Sequence, residues 1–322
     1  MKPSRCLIPI MLFSAATVSA QPFPNKPIRF IVPFPPGGGT DLVSRTIGQK
    51  MSDSFGQAVL IENRPGAQGN IGTALASKAA PDGYTLLLGE AGTLGINPHL
   101  YADVGYDAQK DFAPVSLMTR QPYLIVVNPS VPANSIGDLI AFARTGSGKL
   151  SYGTSGAPAQ IAGELFRLRT GVNMTHVPYK GGGPALTDLL GGHLNMTVTT
   201  PAPVLSFVRE GRLRVLAVTT RARVDFLPNV ATVIESGISD FDISGWYGVL
   251  LPANPPRDVV TRLNTELVRI SRLPDVRERL TREGAQLVGS SPEEFSALIR
   301  DEADKWGKAV ERTGVKAGAA DR

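Results

Sequence analysis

The stretch IRFIVPFPPGGGTD, from Ile28 to Asp41, carries the strongest structural signal in this chain. Its apolar first half is typical of a buried β-strand, and the residues from Leu42 onward follow a helical pattern. The glycines Gly37–Gly39 between them let the main chain approach a ligand closely, because no Cβ stands in the way. The following helix would point its N–H groups and positive dipole end at this turn. The stretch predicts either an anion-binding turn or a purely structural strand-to-helix turn.

The turn differs from the known phosphate-binding motifs. It is not Gly-x-Gly-x-x-Gly, and no lysine follows it as in a Walker loop. The chain has 322 residues, with 42% hydrophobic and 19% charged side chains and a formal charge of +5. This composition is ordinary for a globular protein of one large or two smaller domains. Lysine and arginine are scattered, which argues against a nucleic-acid partner.

The first twenty residues have the pattern of a secretory signal peptide. A basic segment, Met1–Arg5, precedes an apolar segment that is too short for a permanent membrane span, and Val18–Ala20 fits a cleavage site. We expect cleavage after Ala20 and a periplasmic mature protein; the alternative is an uncleaved anchor. Cleavage would remove Cys6, the only cysteine. The mature chain would then have no disulfide and no cysteine nucleophile or metal ligand.

Strand-like and helix-like segments alternate from Pro27 onward, and the last third is helical. This alternation predicts an α/β fold with mainly parallel sheets flanked by helices. Two apolar runs, at 124–129 and 243–252, are interpreted as crossings between two domains. Domain 1 would comprise residues 21–124 plus 246–322, with the C-terminal helices returning to it, and domain 2 residues 125–245. Such a chain can hinge and close over a ligand, whereas the alternative is one large open sheet.

Similar strand–glycine–helix turns recur along the chain. The segment 62–72 would offer main-chain and side-chain amides at Gln68, Gly69 and Asn70, while Arg64 either clamps an anion or pairs with a local acid. The loop 89–93 is expected at the same sheet edge. Because ligands of α/β sheets bind at the carboxyl ends of the strands, these loops are expected to meet.

In domain 2, Thr154 and Ser155 would supply hydroxyls, and Gly156 and Ala157 N–H groups, at a helix start. The segment 178–184 is another such turn, in which Lys180 either neutralises an anion or is simply exposed. Thr199 and Thr200 follow a further strand.

The sequence shows no pattern for catalysis or for a metal. Its three histidines, His99, His176 and His193, are far apart and lack the spacing of metal ligands, so we expect neither a metal nor a cofactor. An envelope hydrolase acting on a carboxylate or phosphate ester is an alternative, with Ser155 and Asp41 as candidates. Asp41 is better explained as a first-turn acid that favours the helix dipole. The neutral donors at helix starts indicate reversible binding of a small anion instead.

Several segments, in order along the chain, resemble the Bug-type substrate-binding proteins of the tripartite tricarboxylate transporter family. They are PFPPGGGTD (33–41), ENRPGAQGNIG (62–72), PDGYTL (81–86), AGELF (162–166), PYKG (178–181), LLGG (189–192) and LRVLAVT (213–219).

The resemblance implies a type II-like periplasmic binding protein. Its two lobes would close on a small carboxylate and deliver it to membrane transporter subunits. A sensory accessory subunit that binds the same ligand is an alternative, and we expect a monomer without enzymatic activity. Carried onto this sequence, the ligand would meet Gly38, Gly39, Thr40, Asp41, Gln68, Gly69, Asn70, Thr154, Ser155, Gly156, Ala157, Thr199 and Thr200. Relatives often carry further Gly, Ser and His where this chain has Ala157, Pro158 and Gln160, which leaves the ligand open.

Overall fold

The computed structural model describes residues 23–145 and 150–314 of the chain. The predicted signal peptide, residues 1–20, lies outside these ranges. Among the described residues, no helix combines the length and the apolar character that crossing a membrane requires.

Strands and helices alternate along the described chain. The strands are β1 (Ile28–Val32), β2 (Val59–Asn63), β3 (Thr85–Glu90), β4 (Phe112–Pro122), β5 (Leu124–Val127), β6 (Leu150–Thr154), β7 (Met174–Pro178), β8 (Met196–Thr199), β9 (Arg214–Val218), β10 (Ser244–Pro252) and β11 (Gln286–Leu287). The helices are α1 (Gly39–Phe55), α2 (Asn70–Ser77), α3 (Asn97–Leu100), α4 (Ile136–Arg144), α5 (Ala157–Thr170), α6 (Gly182–Leu190), α7 (Leu205–Arg209), α8 (Arg257–Ser271), α9 (Pro274–Arg282) and α10 (Pro292–Thr313). A 3-10 turn covers Ala67–Gly69 and a π-helical turn covers Gly92–Ile96.

Two helices begin with a serine that satisfies their first N–H groups. In α4 the Ser135 side chain accepts a hydrogen bond from the Asp138 N–H. In α10 the Ser291 side chain accepts from the Glu294 N–H, and the Glu294 carboxylate accepts in turn from the Ser291 N–H. This reciprocal capping box, within the Ser-Pro-Glu-Glu segment 291–294, stabilises the helix start.

The first sheet has six strands in the order β11–β4–β10–β3–β1–β2. Strand β1 is parallel to both β2 and β3, with Phe30 opposite Ile61 and Leu86. Strand β10 is antiparallel to β3 and β4, and β11 is antiparallel to β4. The chain returns to this sheet in β10 after completing the second one.

The second sheet has five strands in the order β7–β6–β8–β5–β9. Strand β6 is parallel to β7 and β8, whereas β5 is antiparallel to β8 and β9. The expectation of mainly parallel sheets is therefore wrong, because both sheets are mixed. The antiparallel pairs arise largely from β5 and β10, the strands in which the chain enters one sheet after leaving the other.

Each sheet is covered by apolar side chains on both faces. In the first, one face packs against α1, α8 and α9, and the other against α10. In the second, one face packs against α4 and α5 and the other against α6 and α7. Trp306 and Val310 of α10 join the apolar cluster of the second sheet, so this helix contacts both halves of the molecule.

Thr219, which is fully buried, joins the two chain segments that connect the sheets. Its N–H donates to the Tyr123 carbonyl, and its hydroxyl oxygen accepts from the Tyr123 N–H at 2.9 Å. The same hydroxyl donates to the Ile243 carbonyl at 2.6 Å, and the Ile243 N–H donates to the Thr219 carbonyl. Both crossings are thus tied to one buried side chain.

Candidate functional site

A cavity of about 130 Å³ lies between the two sheets, and we call it the glycine chamber. The first sheet contributes the turn after β1, the end of β3 and Tyr247 of β10, and the second contributes the starts of α5 and α6 and the residues after β8. The carboxyl ends of β1, β6, β7 and β8 all lead to it. Parallel strands place ligand-binding loops at this edge.

A second cavity of about 300 Å³ adjoins the first, and we call it the side chamber. The two share Phe34, Pro35, Ser155 and Gly156. The side chamber is lined further by the turn 65–69 and by residues 178–180. A ligand longer than the glycine chamber can therefore extend past Ser155 into the second cavity.

Three helices begin at the glycine chamber: α1 after Gly38, α5 after Gly156 and α6 after Gly181. None of the three has a side chain that caps its first turn. The first N–H groups of a helix have no partner within the helix, and the helix dipole places positive charge beside them. Three such ends at one cavity favour an anion there.

Two of the glycines at these starts are constrained by their surroundings. A Cβ on Gly39 would lie 3.1 Å from the Tyr247 hydroxyl and 3.5 Å from the Thr200 hydroxyl. Gly156 has a φ of +92°, a region that side chains with a Cβ rarely adopt. A larger residue would fill the chamber at the first position and strain the main chain at the second.

The structure brings three of the four residues predicted in the first turn to the chamber. Gly38, Gly39 and Thr40 line it. Asp41 is not among the lining residues, and its carboxylate accepts hydrogen bonds from the Gly37 N–H, the Asn63 amide and Arg45. Burial raises the pKa of Asp41, but these hydrogen bonds outweigh it and hold that pKa below its ordinary value. Asp41 therefore stabilises the turn through these hydrogen bonds and does not border the chamber.

The amides predicted in the second loop also divide into residues that line a cavity and a residue that does not. Gln68 and Gly69 line the side chamber, within a turn where Ala67 and Gln68 have left-handed φ values of 45° and 52°. Asn70 lines neither chamber, and its side-chain oxygen accepts hydrogen bonds from the Asn97 amide and the Tyr106 hydroxyl. Asn70 therefore holds the loop in place.

In the second sheet, Ser155 and Gly156 line both chambers. Thr154 is buried beneath them, with its hydroxyl 2.7 Å from His176 Nε2, and Ala157 is buried without lining either chamber. Pro158, in the first turn of α5, borders the glycine chamber.

Thr199 and Thr200, which were also expected to contact a ligand, line the glycine chamber. The predicted turn at 178–184 divides between the two chambers. Gly181, Gly182 and Gly183 line the glycine chamber, and Lys180 lines the side chamber. The sequence pattern marked this turn, but the expected ligand contacts did not include its glycines.

The structure also places in the chamber three polar side chains that were not among the expected ligand contacts: Glu90, Tyr123 and Tyr247. The segment 89–93 is not the loop expected from the sequence, because β3 continues to Glu90 and a π-helical turn begins at Gly92. The Glu90 carboxylate accepts hydrogen bonds from the Gly92 and Thr93 N–H groups and so stabilises the start of that turn.

The chamber contains neutral hydroxyls and one carboxyl. Burial raises the pKa of Tyr123 and of Tyr247, so both remain neutral donors in ordinary buffers. Burial also raises the pKa of Glu90, to about 7, although the Gly92 and Thr93 N–H groups act against it. The cavity is therefore polar but holds little fixed charge of its own.

Few side chains that line the two chambers could take part in a reaction. Among the described residues that line the two chambers, none is a histidine, and the charged side chains are Glu90 and Lys180. Ser155 consequently has no imidazole beside it in either cavity, which a serine nucleophile would normally need. Within 23–145 and 150–314, no group of three or more His, Cys, Asp or Glu could hold a metal ion.

Known proteins resemble the chain over most of its length. Residues 43–315 match the family model described as "Tripartite tricarboxylate transporter family receptor". BugT of Bordetella pertussis strain Tohama I is 37% identical over 305 residues, which cover 94% of this chain and 94% of BugT.

Solved structures agree with the sequence match. A protein from R. palustris, solved with adipate, superposes with a TM-score of 0.88 at 34% identity, covering 91% of this chain and 99% of that one. MatC from Rhodopseudomonas palustris, with bound malate, gives 0.84 at 30% identity, covering 89% and 100%. The predicted two-lobed binding-protein fold is confirmed. The chain therefore belongs to the tripartite tricarboxylate transporter receptor family, as a Bug-type solute-binding protein.

Proposed function

We propose that this protein captures a small carboxylate-type solute between its two lobes in the periplasm and delivers it to membrane transporter subunits. The observation that carries the proposal is the convergence of α1, α5 and α6 on one cavity, each preceded by a glycine and without a side-chain cap. Main-chain N–H groups at helix starts bind carboxylates without a dedicated arginine. The adipate and malate bound by two related structures support this ligand class.

The proposed ligand contacts are those expected residues that line the chambers, together with two glycines of the turn before α6. They are Gly38, Gly39, Thr40, Gln68, Gly69, Ser155, Gly156, Thr199 and Thr200, with Gly181 and Gly182 added. Asp41, Asn70, Thr154 and Ala157 would act by positioning these turns. The glycine chamber, at about 130 Å³, is less than half the size of the side chamber, at about 300 Å³. A ligand carboxylate would occupy the glycine chamber, and the remainder of a longer ligand would occupy the side chamber.

We propose the domain limits expected from the sequence: residues 21–124 with 246–322, and residues 125–245. The division of the strands into two sheets supports them. The hydrogen bonds of Thr219 to Tyr123 and Ile243 mark the position where the lobes would hinge. Closure around this point would bring the α1 start against those of α5 and α6.

Ligand binding is tested by isothermal titration calorimetry and thermal shift, after unfolding and refolding the protein to remove any co-purified ligand. The panel contains dicarboxylates, tricarboxylates, amino acids and aromatic acids. A ligand present at a hundred times its Kd should stabilise the folded state by about 2.7 kcal/mol. A folded protein that binds none of these acids would contradict the proposal.

Three further measurements separate the alternatives. NMR of a bound acid after prolonged incubation should recover it unchanged, whereas cleavage of an ester substrate would favour the envelope hydrolase. Mass spectrometry of the protein from a periplasmic extract should find Gln21 as its first residue, since cleavage is expected after Ala20. A sensory role would appear as ligand-dependent binding to a sensor subunit without uptake of the solute.

A further inference from the structure

Glu90 is the acidic side chain in the wall of the glycine chamber. It is the last residue of β3, only 6% exposed, and it lines the cavity into which α1, α5 and α6 begin. Among the described lining residues of this chamber it is the only charged one. A buried carboxyl at a site suited to anions calls for an explanation, because it would repel a ligand that brings only carboxylates.

The carboxyl is held in place by the main chain. Oε2 accepts from the Gly92 N–H at 2.8 Å, and Oε1 accepts from the Thr93 N–H at 2.7 Å. The Thr93 hydroxyl also lowers the pKa of Glu90 through a hydrogen bond. A carboxylate can accept about four hydrogen bonds, so capacity for at least one more remains. Within the described chain, no Lys, Arg or His forms an ion pair with Glu90, and no basic group acts on its pKa.

Among the described residues around Glu90, no titratable group is a cation that donates a hydrogen bond to its carboxylate. Tyr106, Tyr123 and Tyr247 sense its charge, and the pKa of each is raised, so all three stay neutral. Lys180 borders the side chamber and not the glycine chamber. Burial without a countercharge raises the pKa of Glu90 to about 7, so a donor from the ligand would stabilise its ionised form.

Resting on the proposed function, we propose that Glu90 makes the protein selective for carboxylates that also carry a hydrogen-bond donor, an ammonium or a hydroxyl group. The ligand carboxylate occupies the helix starts, and the donor group reaches the Glu90 carboxylate. An unsubstituted dicarboxylate lacks this second contact, so the buried Glu90 carboxylate keeps only its hydrogen bonds within the protein and gains no donor in place of water, which is unfavourable.

The test uses three acids with one four-carbon skeleton: succinate, malate and aspartate. They differ only at one carbon, which carries a hydrogen in succinate, a hydroxyl in malate and an ammonium group in aspartate. The series therefore compares each of the two donors with the other and with an acid that has no donor. Calorimetry at pH 8 should give at least a tenfold tighter Kd for malate or aspartate than for succinate. In Glu90→Gln, which keeps the size but removes the charge, this difference should disappear.

A second measurement uses the unaltered protein, in case Glu90→Gln disturbs the turn at Gly92. Binding of a donor to ionised Glu90 should release a proton near pH 7, and titrations in two buffers of different ionisation enthalpy detect it. Affinity for the preferred acid should rise as the pH increases through about 7, since Glu90 must lose its proton.

Each outcome decides the inference. Succinate binding as tightly as malate and aspartate, or binding with proton uptake, would overturn it and leave the proposed function standing. Binding of no carboxylate from the wider panel would overturn both.

Discussion

Helix α10 is preceded by Ser291, whose hydroxyl accepts a hydrogen bond from the Glu294 N–H. Helix α1 is preceded by Gly38, which has no side chain to accept one. α4 resembles α10 through Ser135, and α5 and α6 resemble α1 through Gly156 and Gly181. The serine-capped helices satisfy their first N–H groups with their own side chains. The glycine-started helices present theirs to one shared cavity.

The absence of a cap is not sufficient to mark a binding site. Helices α8 and α9 also begin without a side-chain cap, after Pro256 and Leu273, and neither residue borders the glycine chamber. The glycines matter because they let three helix starts approach a single cavity closely. The comparison therefore teaches that recognition depends on where the unsatisfied N–H groups converge.

The largest effect is expected from Gly39→Val. The Cβ of the new side chain would lie 3.1 Å from the Tyr247 hydroxyl and 3.5 Å from the Thr200 hydroxyl, and its methyl groups would fill the chamber. Carboxylate affinity should fall at least a hundredfold, about 2.7 kcal/mol, in calorimetry. The matched control is Gly137→Val in the first turn of α4, where the residue is exposed and ligand affinity should not change. Equal losses in both variants would refute the comparison.

The next effect concerns two acids at equivalent positions, Asp41 in α1 and Asp138 in α4. Asp41→Asn should lower the free energy of unfolding by about 2 kcal/mol, because a buried carboxylate loses its charged hydrogen bonds to Arg45 and Gly37. Asp138→Asn, at an exposed site, should have a clearly smaller effect in denaturant titrations.

The same pair has a defined pH dependence. The pKa of Asp41 is lowered in the folded state, so its contribution is complete above the unfolded value of 3.8 and is lost as the pH falls through the lowered one. The stability difference between the original protein and Asp41→Asn should therefore shrink below about pH 4. A difference that is constant down to pH 2 would contradict this assignment.

A smaller effect is expected when one N–H group is removed from the chamber. Gly182→Pro deletes the N–H of the first residue of α6, a position where helices tolerate proline. Affinity should fall about tenfold while the melting temperature stays unchanged, as expected for one hydrogen bond to a charged group. Gly182→Ala is the matched control, because nothing lies within 4 Å of the added Cβ and the N–H remains.

The smallest effect comes from giving α1 the start that α10 has. Gly38 has an extended main chain, with φ −90° and ψ 177°, so Gly38→Ser can form a cap. Stability of the ligand-free protein should rise by a few tenths of a kcal/mol, while affinity falls about threefold as the serine competes for the N–H groups. A gain in both quantities would mean that these N–H groups do not contact the ligand.

Much of the fold follows from local sequence patterns. The run at Ile28–Val32 with its glycines predicts β1 and α1, and the Ser-Pro-Glu-Glu pattern predicts the start of α10. The mixed sheets could not be predicted, because β10 pairs with β3 and β4 from more than a hundred residues away. The two-residue strand β11 is too short to produce a pattern.

The site was predictable only as far as it consists of main chain. The glycine turns carry a sequence signature, and most of their residues border the chambers. Asp41, Asn70 and Thr154 lie in the right turns, but their side chains bond to Arg45, Asn97 and His176, and that direction is set by tertiary packing. Glu90 lies in a segment that the sequence marked only as a loop. Tyr123, between β4 and β5, and Tyr247, within β10, are single side chains with no motif around them.

Pro158, in the first turn of α5, has a consequence for how this protein can change over generations. Of the standard residues, only proline removes a main-chain N–H, so almost every other substitution leaves such a donor in place. A binding site made of main-chain donors is therefore inherited nearly intact while its side chains mutate. Pro158 is a chamber position where this chain lacks such a donor, and Glu90 one where it carries a carboxyl. New ligand preferences can arise at such positions without the loss of carboxylate binding.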